Sequence, residues 1–477
     1  MKPMLKLSLI ALAGVLLSGC ALGPDYQRPE APLPLEFRHT PGWKIAEPAD
    51  LDASVAWWSL YQDATLADLL KQLEASNQNL RAAEAAWREA RALVGGTRSA
   101  LYPNASGQVG TTRSGNDQGT GKTNEVALGL SWQLDIWGQV RRQVEASEAN
   151  AQASAAEWAG VRLSQQSELV QNYLQLRVID EQMRLLDATM MSYERSLRTT
   201  ENGYRAGIVT RADVAQALTQ LRNTQAQRLD LDWQRARYEH AIALLVGSTP
   251  NALQVSTVAT LPNLPALPIS VASTLLERRP DIAAAERRVM AANAEIGVAQ
   301  TAYFPDLTLS ASGGYRGSNL ADWISLPNRF WSIGPQFAMT LFDAGLRRSK
   351  VEQAEARYDQ QVARYRQTTL QAIGEVEDAL VQLNVLAEEI VVQRQALAAS
   401  QDALKLTENQ YQAGMVDYLS VSSAQTAALN SERTLLNLLG TQLTASVQLI
   451  SALGGGWQDN LDEQTLPTTS ASQTTAR

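Results

Sequence analysis

The chain has 477 residues, 45% of them hydrophobic and 19% charged, and it carries a formal net charge of −8. This composition supports a large folded body, and the acidic balance argues against nucleic acid as a partner. One cysteine and two histidines occur in the whole chain, which excludes an intrachain disulfide and predicts no catalytic metal site.

The N-terminus predicts export and lipidation. Two lysines precede an apolar stretch at residues 7–17, which is too short to span a membrane. The stretch leads into Leu-Ser-Gly-Cys, which resembles a bacterial lipobox and predicts acylation of Cys20 with diacylglycerol and an N-acyl chain. Ala21 rather than Asp follows the cysteine, as in lipoproteins sorted to the outer membrane, which acyl chains would anchor. After residue 20 no run of 18 apolar residues occurs, so no transmembrane helix is predicted.

Two alternating segments follow a first helix that begins near residue 64. They lie at about 104–113 and 125–135, and every other residue from Val126 to Leu134 is apolar while the residues between are small or polar. Strands of about ten residues with one apolar face are typical of a membrane β-barrel with a wet lumen. A soluble sandwich with one buried face is the alternative that this pattern leaves open.

One glycine-rich motif, at residues 119–123, resembles a phosphate-binding loop. That loop needs a glycine at position 116, where this chain has Asn116, and it joins a strand to a helix rather than two strands. We therefore interpret the motif as an exposed hairpin loop. No nucleophile, base and orienting group occur together elsewhere, so the sequence indicates no enzyme and no cofactor other than the lipid.

A long helical hairpin is predicted after the strands, at residues 138–247. From Gly138 to Gly203 there is no proline, and apolar residues recur at a spacing of three and four, which is typical of a coiled-coil seam. Such a helix would be roughly 95 Å long. A glycine turn at Gly207 precedes the returning helix, at about 211–245. The remaining helix surface is rich in Gln, Ala, Glu and Arg, which indicates a solvated helix.

The second half of the chain repeats the first. Gly203-Tyr-Arg-Ala-Gly-Ile-Val209 recurs as Gln410-Tyr-Gln-Ala-Gly-Met-Val416, at an offset of 410 − 203 = 207 residues. This register predicts an internal duplication, with second-copy strands at about 306–316 and 330–341 and a second helical hairpin at 345–453. The predicted organisation is a signal peptide (1–19), a lipid-anchored and equatorial segment (20–63), the first repeat (64–247), a Pro-rich linker with an equatorial helix (248–280), the second repeat (281–457) and a disordered tail (458–477).

Four strands are too few to close a membrane barrel, since even the smallest has about eight. An open sheet edge is not tolerated in lipid. If the barrel interpretation holds, the barrel must therefore be shared between subunits.

An ordered set of short motifs spans residues 20–457. The set comprises Cys20 with Gly23-Pro24-Asp25-Tyr26, Trp57-Trp58 with Asp63 and Leu66, Leu101-Tyr102-Pro103 paired with Tyr303-Phe304-Pro305, Arg278-Arg279-Pro280-Asp281-Ile282, Phe342-Asp343-Ala344-Gly345 and Leu453-Gly454-Gly455-Gly456-Trp457. Together with the duplicated hairpin, it resembles the TolC-like outer-membrane efflux proteins, most closely their OprM-type (NodT-type) lipoproteins.

This resemblance implies a mainly α protein with β, in which three protomers form a 12-stranded outer-membrane β-barrel and an α-barrel tunnel of twelve periplasmic helices. It implies a passive homotrimeric exit duct for small toxic compounds or drugs. Such a duct works with a periplasmic adaptor and an inner-membrane resistance-nodulation-division pump, which spends the energy. The resemblance leaves the substrates, the pump and the adaptor open.

The resemblance also assigns the helical turns. The tips that would meet the adaptor are Gly207, Ile208, Val209, Gly414, Met415 and Val416. Related channels are held shut by a tyrosine and an aspartate, which Tyr411 and Asp213 match, and Arg211 and Asp417 lie near enough in sequence to join them. Many relatives have Asp where this chain has Ser423, so an inner acidic ring is doubtful. The alternative for all these residues is ordinary turn packing and solvated charge at helix ends.

Two other functions compete with the drug-efflux duct. One is the outer-membrane channel of a type I protein-secretion system, against which the lipobox and the motif at 278–282 argue. The other is a structural periplasmic coiled-coil lipoprotein, which would require the alternating segments to be soluble strands. Dependence of the folded protein on detergent would separate this last function from the other two.

Overall fold

The computed structural model describes residues 21–31, 56–117, 119–258, 260–265, 279–319 and 321–455. Cys20 and the rest of the predicted signal peptide, the predicted helix of the linker and the predicted disordered tail lie outside the described residues. The elements are α1 (Ala64–Ser76), α2 (Gln78–Ser99), β1 (Asn104–Asn116), β2 (Gly119–Leu134), α3 (Gln139–Arg205), α4 (Arg211–Leu245), α5 (Pro280–Thr301), β3 (Asp306–Gly317), β4 (Arg329–Ala338), α6 (Leu346–Gln412) and α7 (Tyr418–Ala452), with short 3₁₀ turns at Trp57–Tyr61 and Leu326–Asn328.

The four strands form one antiparallel sheet in the order β1-β2-β3-β4. Leu128 of β2 lies opposite Gly107 of β1 and Gly313 of β3, and Gly313 in turn lies opposite Trp331 of β4. Because residues opposite each other share a face and the side chains alternate, the apolar residues of all four strands fall on one face. We call this the apolar face of the sheet; its members include Val109, Val126, Leu128, Leu130, Trp132, Leu309, Trp331, Ile333 and Phe337.

The sheet corrects two expectations about the strands. Asn116 of β1 pairs with Gly119 of β2, so residues 119–123 belong to a strand and not to an exposed loop. β1 supplies a backbone partner for every residue of this segment, which outweighs its polar composition. β4 ends at Ala338 rather than near 341, because its partner Asp306 is the first residue of β3 and no backbone beyond it pairs.

The helices repeat in length as well as in sequence. α3 and α6 each contain 67 residues, and α4 and α7 each contain 35. At about 1.5 Å per residue the longer helices measure roughly 100 Å. α3 continues through Gly160, where the ring of Pro280 packs 3.8 Å from the place a Cβ atom would take. No described helix contains an 18-residue stretch apolar enough to cross a membrane.

The chain divides into two compact units. The first comprises the described residues of 1–31, 84–157 and 281–368 and contains the sheet. The second comprises those of 32–83, 158–280 and 369–477, and it contains the helical turns.

Residues 21–31 form an extended segment in the first unit, which we call the strap. The Leu22 amide donates to the Trp137 carbonyl (3.1 Å), and Arg142 Nε donates to the Leu22 carbonyl (3.0 Å). A Cβ atom on Gly297 would lie 2.7 Å from that carbonyl oxygen, and one on Gly138 would lie 2.8 Å from the Ala21 Cα. The strap therefore reaches α3 and α5 only because glycines leave room for its backbone.

Further along, the strap is held by side chains of α5 and α6. The Tyr26 hydroxyl donates to Glu286 Oε1 (3.0 Å), and Arg28 Nε donates to the Tyr365 hydroxyl (3.3 Å). Burial, reinforced by the Glu286 carboxylate, raises the pKa of Tyr26, so the phenol stays a proton donor at neutral pH. The strap thus contacts helices from both sequence repeats.

The core of the second unit fixes the start of α1. Asp63 accepts from the Leu66 amide (3.1 Å) as the N-cap and from the Tyr173 hydroxyl (2.6 Å). Tyr61 shares a hydrogen bond of 2.6 Å with Ser446 of α7, and Trp57 is also buried. Trp57 and Asp63 are two of the residues on which the resemblance rests. In the structure, Trp57 lies in the core and Asp63 caps a helix.

A buried ionic network fastens the chain after α4 to the long helices. The Asp180 side chain is fully buried and accepts from Arg235 Nε at 2.8 Å, while Arg177 lies 3.6 Å away. Arg177 donates to the Ser256 carbonyl (3.0 Å) and Arg235 to the Val255 carbonyl (2.7 Å). Pairing with two arginines compensates the cost of burying the Asp180 charge. The same two arginines bind the carbonyl groups of Val255 and Ser256 and so fix the start of the linker.

Candidate gate at the helical turns

The first helical hairpin turns through a glycine. α3 ends at Arg205, and Gly207 adopts a φ of 71°, in the left-handed region that favours glycine. The Ile208 amide donates to the Gly203 carbonyl (2.8 Å), and the Gly207 amide donates to the Tyr204 carbonyl (2.9 Å). These two bonds form a Schellman motif, which satisfies carbonyl groups that the end of α3 would otherwise leave free.

The second hairpin repeats this turn. Gly414 has a φ of 73°, and the Met415 amide donates to the Gln410 carbonyl (2.9 Å). Ile208 is 79% exposed and Met415 is 69% exposed, whereas Val209 and Val416 are half-buried. Each hairpin therefore ends in one apolar side chain that points into solvent from a rigid turn.

The two carboxylates predicted for the gate begin the returning helices. Asp213 Oδ2 accepts from the Thr210 amide at 2.8 Å, and the Asp213 amide donates to the Thr210 hydroxyl at 3.3 Å, which completes a capping box at α4. Asp417 Oδ1 accepts from the Ser420 amide (3.0 Å) and from its hydroxyl (2.7 Å) at the start of α7. These hydrogen bonds, first that of the Ser420 hydroxyl, hold the pKa of Asp417 below its usual range.

Tyr411 packs on Tyr418 and not on Asp213. The two rings lie 5.8 Å apart in an edge-to-face arrangement, within a cluster that includes Ala217 and Val421. Burial raises the pKa of Tyr418 to about 12. Within the chain the two residues are engaged separately, Tyr411 in this cluster and Oδ2 of Asp213 in the capping box, so a polar link between them stays a prediction.

Arg211 and Ser423 occupy the surface of this region. Arg211 is exposed and has no ionic partner among the residues that the structure describes, so its place in the gate stays a prediction. Ser423 is exposed on α7. Of the four predicted gate residues, two cap helices, one packs in a small aromatic cluster and one is free in the isolated chain.

A buried polar layer lies about one to three helical turns from the ends of the hairpins. The Ser422 hydroxyl donates to Gln220 Oε1 (2.8 Å), and Gln425 Nε2 lies 3.4 Å from both the Ser196 hydroxyl and Glu408 Oε1. Gln425 Oε1 is buried without a hydrogen-bond partner. Sequence analysis missed this layer, although Gln and Ser at core positions of coiled-coil helices are the signal that could have revealed it. A fully bonded polar network rigidifies a core, and this layer is only partly bonded.

Comparison with known proteins gives a consistent result over nearly the whole chain. The family model described as "Outer membrane efflux protein" matches residues 69–248 and 271–455. The cation efflux system protein CusC of Escherichia coli is 31% identical over 454 residues, which cover 94% of this chain and 98% of that protein. The probable outer membrane lipoprotein SilC of Salmonella typhimurium is 28% identical over 464 residues, 95% of this chain and 100% of its own length.

A solved structure agrees with these relatives. The outer-membrane channel OprN superimposes with a TM-score of 0.86 at 30% sequence identity, and the match covers 92% of this chain and 100% of that chain. The similarity therefore includes the sheet, the long helices and their turns.

Proposed function

The chain belongs to the outer membrane efflux protein family, and from this premise we propose that it is the passive, homotrimeric exit duct of a tripartite efflux pump. Its relatives are outer membrane efflux channels and not enzymes, and the outer membrane is its location. In the proposed pump, a periplasmic adaptor and an inner-membrane resistance-nodulation-division transporter supply substrate and energy. The cargo consists of small toxic compounds, drugs or, as the name of CusC says for that relative, cations.

The observation that carries the shared barrel is the open sheet, and the number of three copies follows from the family resemblance. β1 and β4 each have one edge without a partner strand in the part of the chain that the structure describes, although the sheet carries a continuous apolar face. Unpaired backbone groups are too costly in lipid, and closing a barrel takes at least about eight strands. Three copies would contribute twelve strands, with β1 of one copy paired to β4 of the next.

We propose further that the gate lies at the level of the two turns. Asp213 and Asp417 are anchored by capping bonds, so their charges are fixed in position, while Arg211 is free to pair with a neighbouring copy. Tyr411, half-buried between hairpins, would form its polar link to a neighbour rather than within the chain. The imperfectly bonded layer of Gln220, Ser422 and Gln425 would let the hairpins shift between two packings, which partners could bias.

The tips and the lipid complete the proposal. The exposed Ile208 and Met415, with their flanking residues in both turns, offer apolar contacts for a helical hairpin of the adaptor. Cys20 would carry the acyl chains, which the name of the relative SilC as a lipoprotein supports. The strap holds the next residue, Ala21, against Gly138 at the junction of β2 and α3, where a membrane-inserted sheet would leave the lipid.

The test is conductance in a planar bilayer, with the oligomer mass measured in the same detergent. The proposal expects a trimer with small, rarely open conductance, because a gated duct must be closed without its partners. A monomer without conductance would contradict both the shared barrel and the duct.

A further inference from the structure

The apolar face of the sheet ends in positive charge at the end away from the helices. All four strands connect to helices at one end, and the opposite end, formed by the β1–β2 turn and the β3–β4 loop, is called here the distal end. Arg113 of β1 lies directly opposite Lys122 of β2, four pairs along the strands from the pair of Val109 and Val126. Because side chains repeat with period two, both cations stand on the apolar face.

These two cations have no counter-charge among the described residues. Like charges directly opposite on adjacent strands destabilise a sheet. Arg113 and Lys122 are exposed, and neither forms an ion pair with any residue in the described part of the chain. By contrast, Arg316 on the other face of the sheet lies 3.1 Å from Glu125, its neighbour on β2. The chain thus neutralises the cation on its polar face and leaves those on its apolar face unpaired.

A third cation borders a recess on the same face. Arg329 begins β4 opposite Tyr315, and it too is exposed and without an ionic partner among the described residues. It lines a recess of about 650 Å³, together with Val126, Leu128, Tyr315, Ile324 and Trp331. Gly313 forms the floor, since it lies between Leu128 and Trp331 and has no side chain. The recess is therefore apolar along its length and cationic at its distal mouth.

The spacing of these features matches one leaflet boundary of a membrane. From Leu134 to Val126 the apolar residues cover eight steps, or about 27 Å along a strand and roughly 20 Å along the normal at a tilt of about 40°. Lys122 lies four residues further, about 10 Å along the normal. Arg113 and Lys122 thus stand where the apolar band gives way to headgroups, and Arg329, in register with Val126 through Tyr315, stands at the end of the band. Since the helices of an outer-membrane channel of this kind extend into the periplasm, the distal end faces the outer leaflet.

We propose that Arg113, Lys122 and Arg329, with the recess over Gly313, bind a phosphorylated, multiply acylated glycolipid of the outer leaflet. The phosphates receive charge-assisted hydrogen bonds from the cations, and one acyl chain lies in the recess against Trp331. The glycolipid supplies the counter-charge that the register of Arg113 and Lys122 lacks. This inference rests on the proposed insertion of the sheet in the outer membrane.

The experiment compares lipid binding to the delipidated, purified protein by native mass spectrometry. The probe is bisphosphorylated lipid A, and the reference is the same lipid after removal of both phosphates. Replacing Arg113 and Lys122 together by Gln should weaken binding of the bisphosphorylated lipid roughly tenfold or more, the loss expected for charge-assisted hydrogen bonds. Arg316→Gln is the matched control, because it removes a strand cation from the opposite face, and it should leave binding unchanged.

A second variant probes the recess without touching charge. A Cβ on Gly313 would meet only ordinary contacts at 3.7 and 3.9 Å, so Gly313→Ala narrows the recess without a clash and should also weaken binding. Equal affinity of the wild type and the double Gln variant, or equal affinity for the two lipids, would overturn the proposal. Conductance is recorded for each protein. A conducting trimer that binds both lipids equally refutes only the lipid site, whereas a protein that forms no channel refutes the duct.

Discussion

Replacing Gly297 by alanine should loosen the strap, and a second glycine in the chain provides a matched control. Gly297 lies in α5, four residues before the last helical residue, Thr301; Gly95 lies in α2, four residues before its last residue, Ser99. Gly297 is buried under Leu22, whereas a Cβ on Gly95 would meet nothing within 4 Å. The two variants therefore make the same chemical change in two similar helices, one beneath the strap and one in open space.

The expected difference in stability between the two variants is found by subtracting the effect that they share. Alanine in a helix interior is favoured over glycine by about 1 kcal/mol, and both variants gain this. Only Gly297→Ala places a methyl group 2.7 Å from the Leu22 carbonyl oxygen and 3.1 Å from Arg142 Cγ. Such overpacking costs about 1–3 kcal/mol. The difference between the variants is this cost, and it falls on the contact that positions the strap.

The assay is amide hydrogen exchange at the strap. The Leu22 amide is protected by its bond to the Trp137 carbonyl, so its exchange reports opening of the strap. Its protection should fall about 5- to 150-fold in Gly297→Ala relative to Gly95→Ala, which is 1–3 kcal/mol at tenfold per 1.4 kcal/mol. Protection that is the same in both variants would refute the crossing of the strap over α5 at Gly297.

Three further predictions concern the turns. Tyr411→Phe combined with Asp213→Asn, which keeps a capping oxygen, should raise the open probability of the channel. The increase is about 5- to 30-fold if the lost links are worth about 1–2 kcal/mol. Unchanged single-channel records would exclude both residues from the gate. Ile208→Asp with Met415→Asp should weaken adaptor binding about 10- to 100-fold, as burial of such side chains predicts, while the trimer and its conductance persist; retained binding in a pull-down would exclude the tips as the contact. The lowered pKa of Asp417 contributes stability that is present above its unfolded pKa of about 3.9 and is lost as the pH falls through the still lower folded value. The protection factors of amides at the start of α7, taken against the intrinsic exchange rate at each pH, should accordingly fall below about pH 4, and Asp417→Asn should abolish that fall; pH-independent protection in the wild type would contradict the cap.

The sequence predicted the duplicated long hairpins because their signals are local and strong. Both 67-residue helices follow an unbroken pattern, and the glycine turns recur at one offset. The comparisons confirm the family and the fold class. The start of β2 was missed because residues 119–123 are polar on both faces, so pairing with β1 rather than hydrophobic period places them in the sheet.

The site could be predicted less well than the fold. Thr210 and Asp213 form a capping box, and Asp417 and Ser420 have the spacing of an N-cap. Both capping roles could have been predicted from sequence, but the resemblance assigned Asp213 and Asp417 to the gate instead. The strap leaves almost no sequence signal, since it depends on tertiary contacts of backbone atoms. A glycine inside a helix, such as Gly297, can mark a close approach, but Gly95 lies in a helix where nothing approaches it, so this signal is not specific.

The central claim is that neighbouring copies share one barrel, and disulfide cross-linking between strand edges tests it most directly. Cys20 is the only natural cysteine, so cysteines introduced by substitution report on the strand edges alone. One cysteine replaces Val109 on β1, and in a series of variants the second replaces successive residues of β4, starting at Ile333. The shared barrel predicts that at least one pair yields covalent dimers and trimers, and nothing larger, after oxidation in outer membranes. Monomers at every step along β4, in protein that is inserted and folded, would contradict the shared barrel.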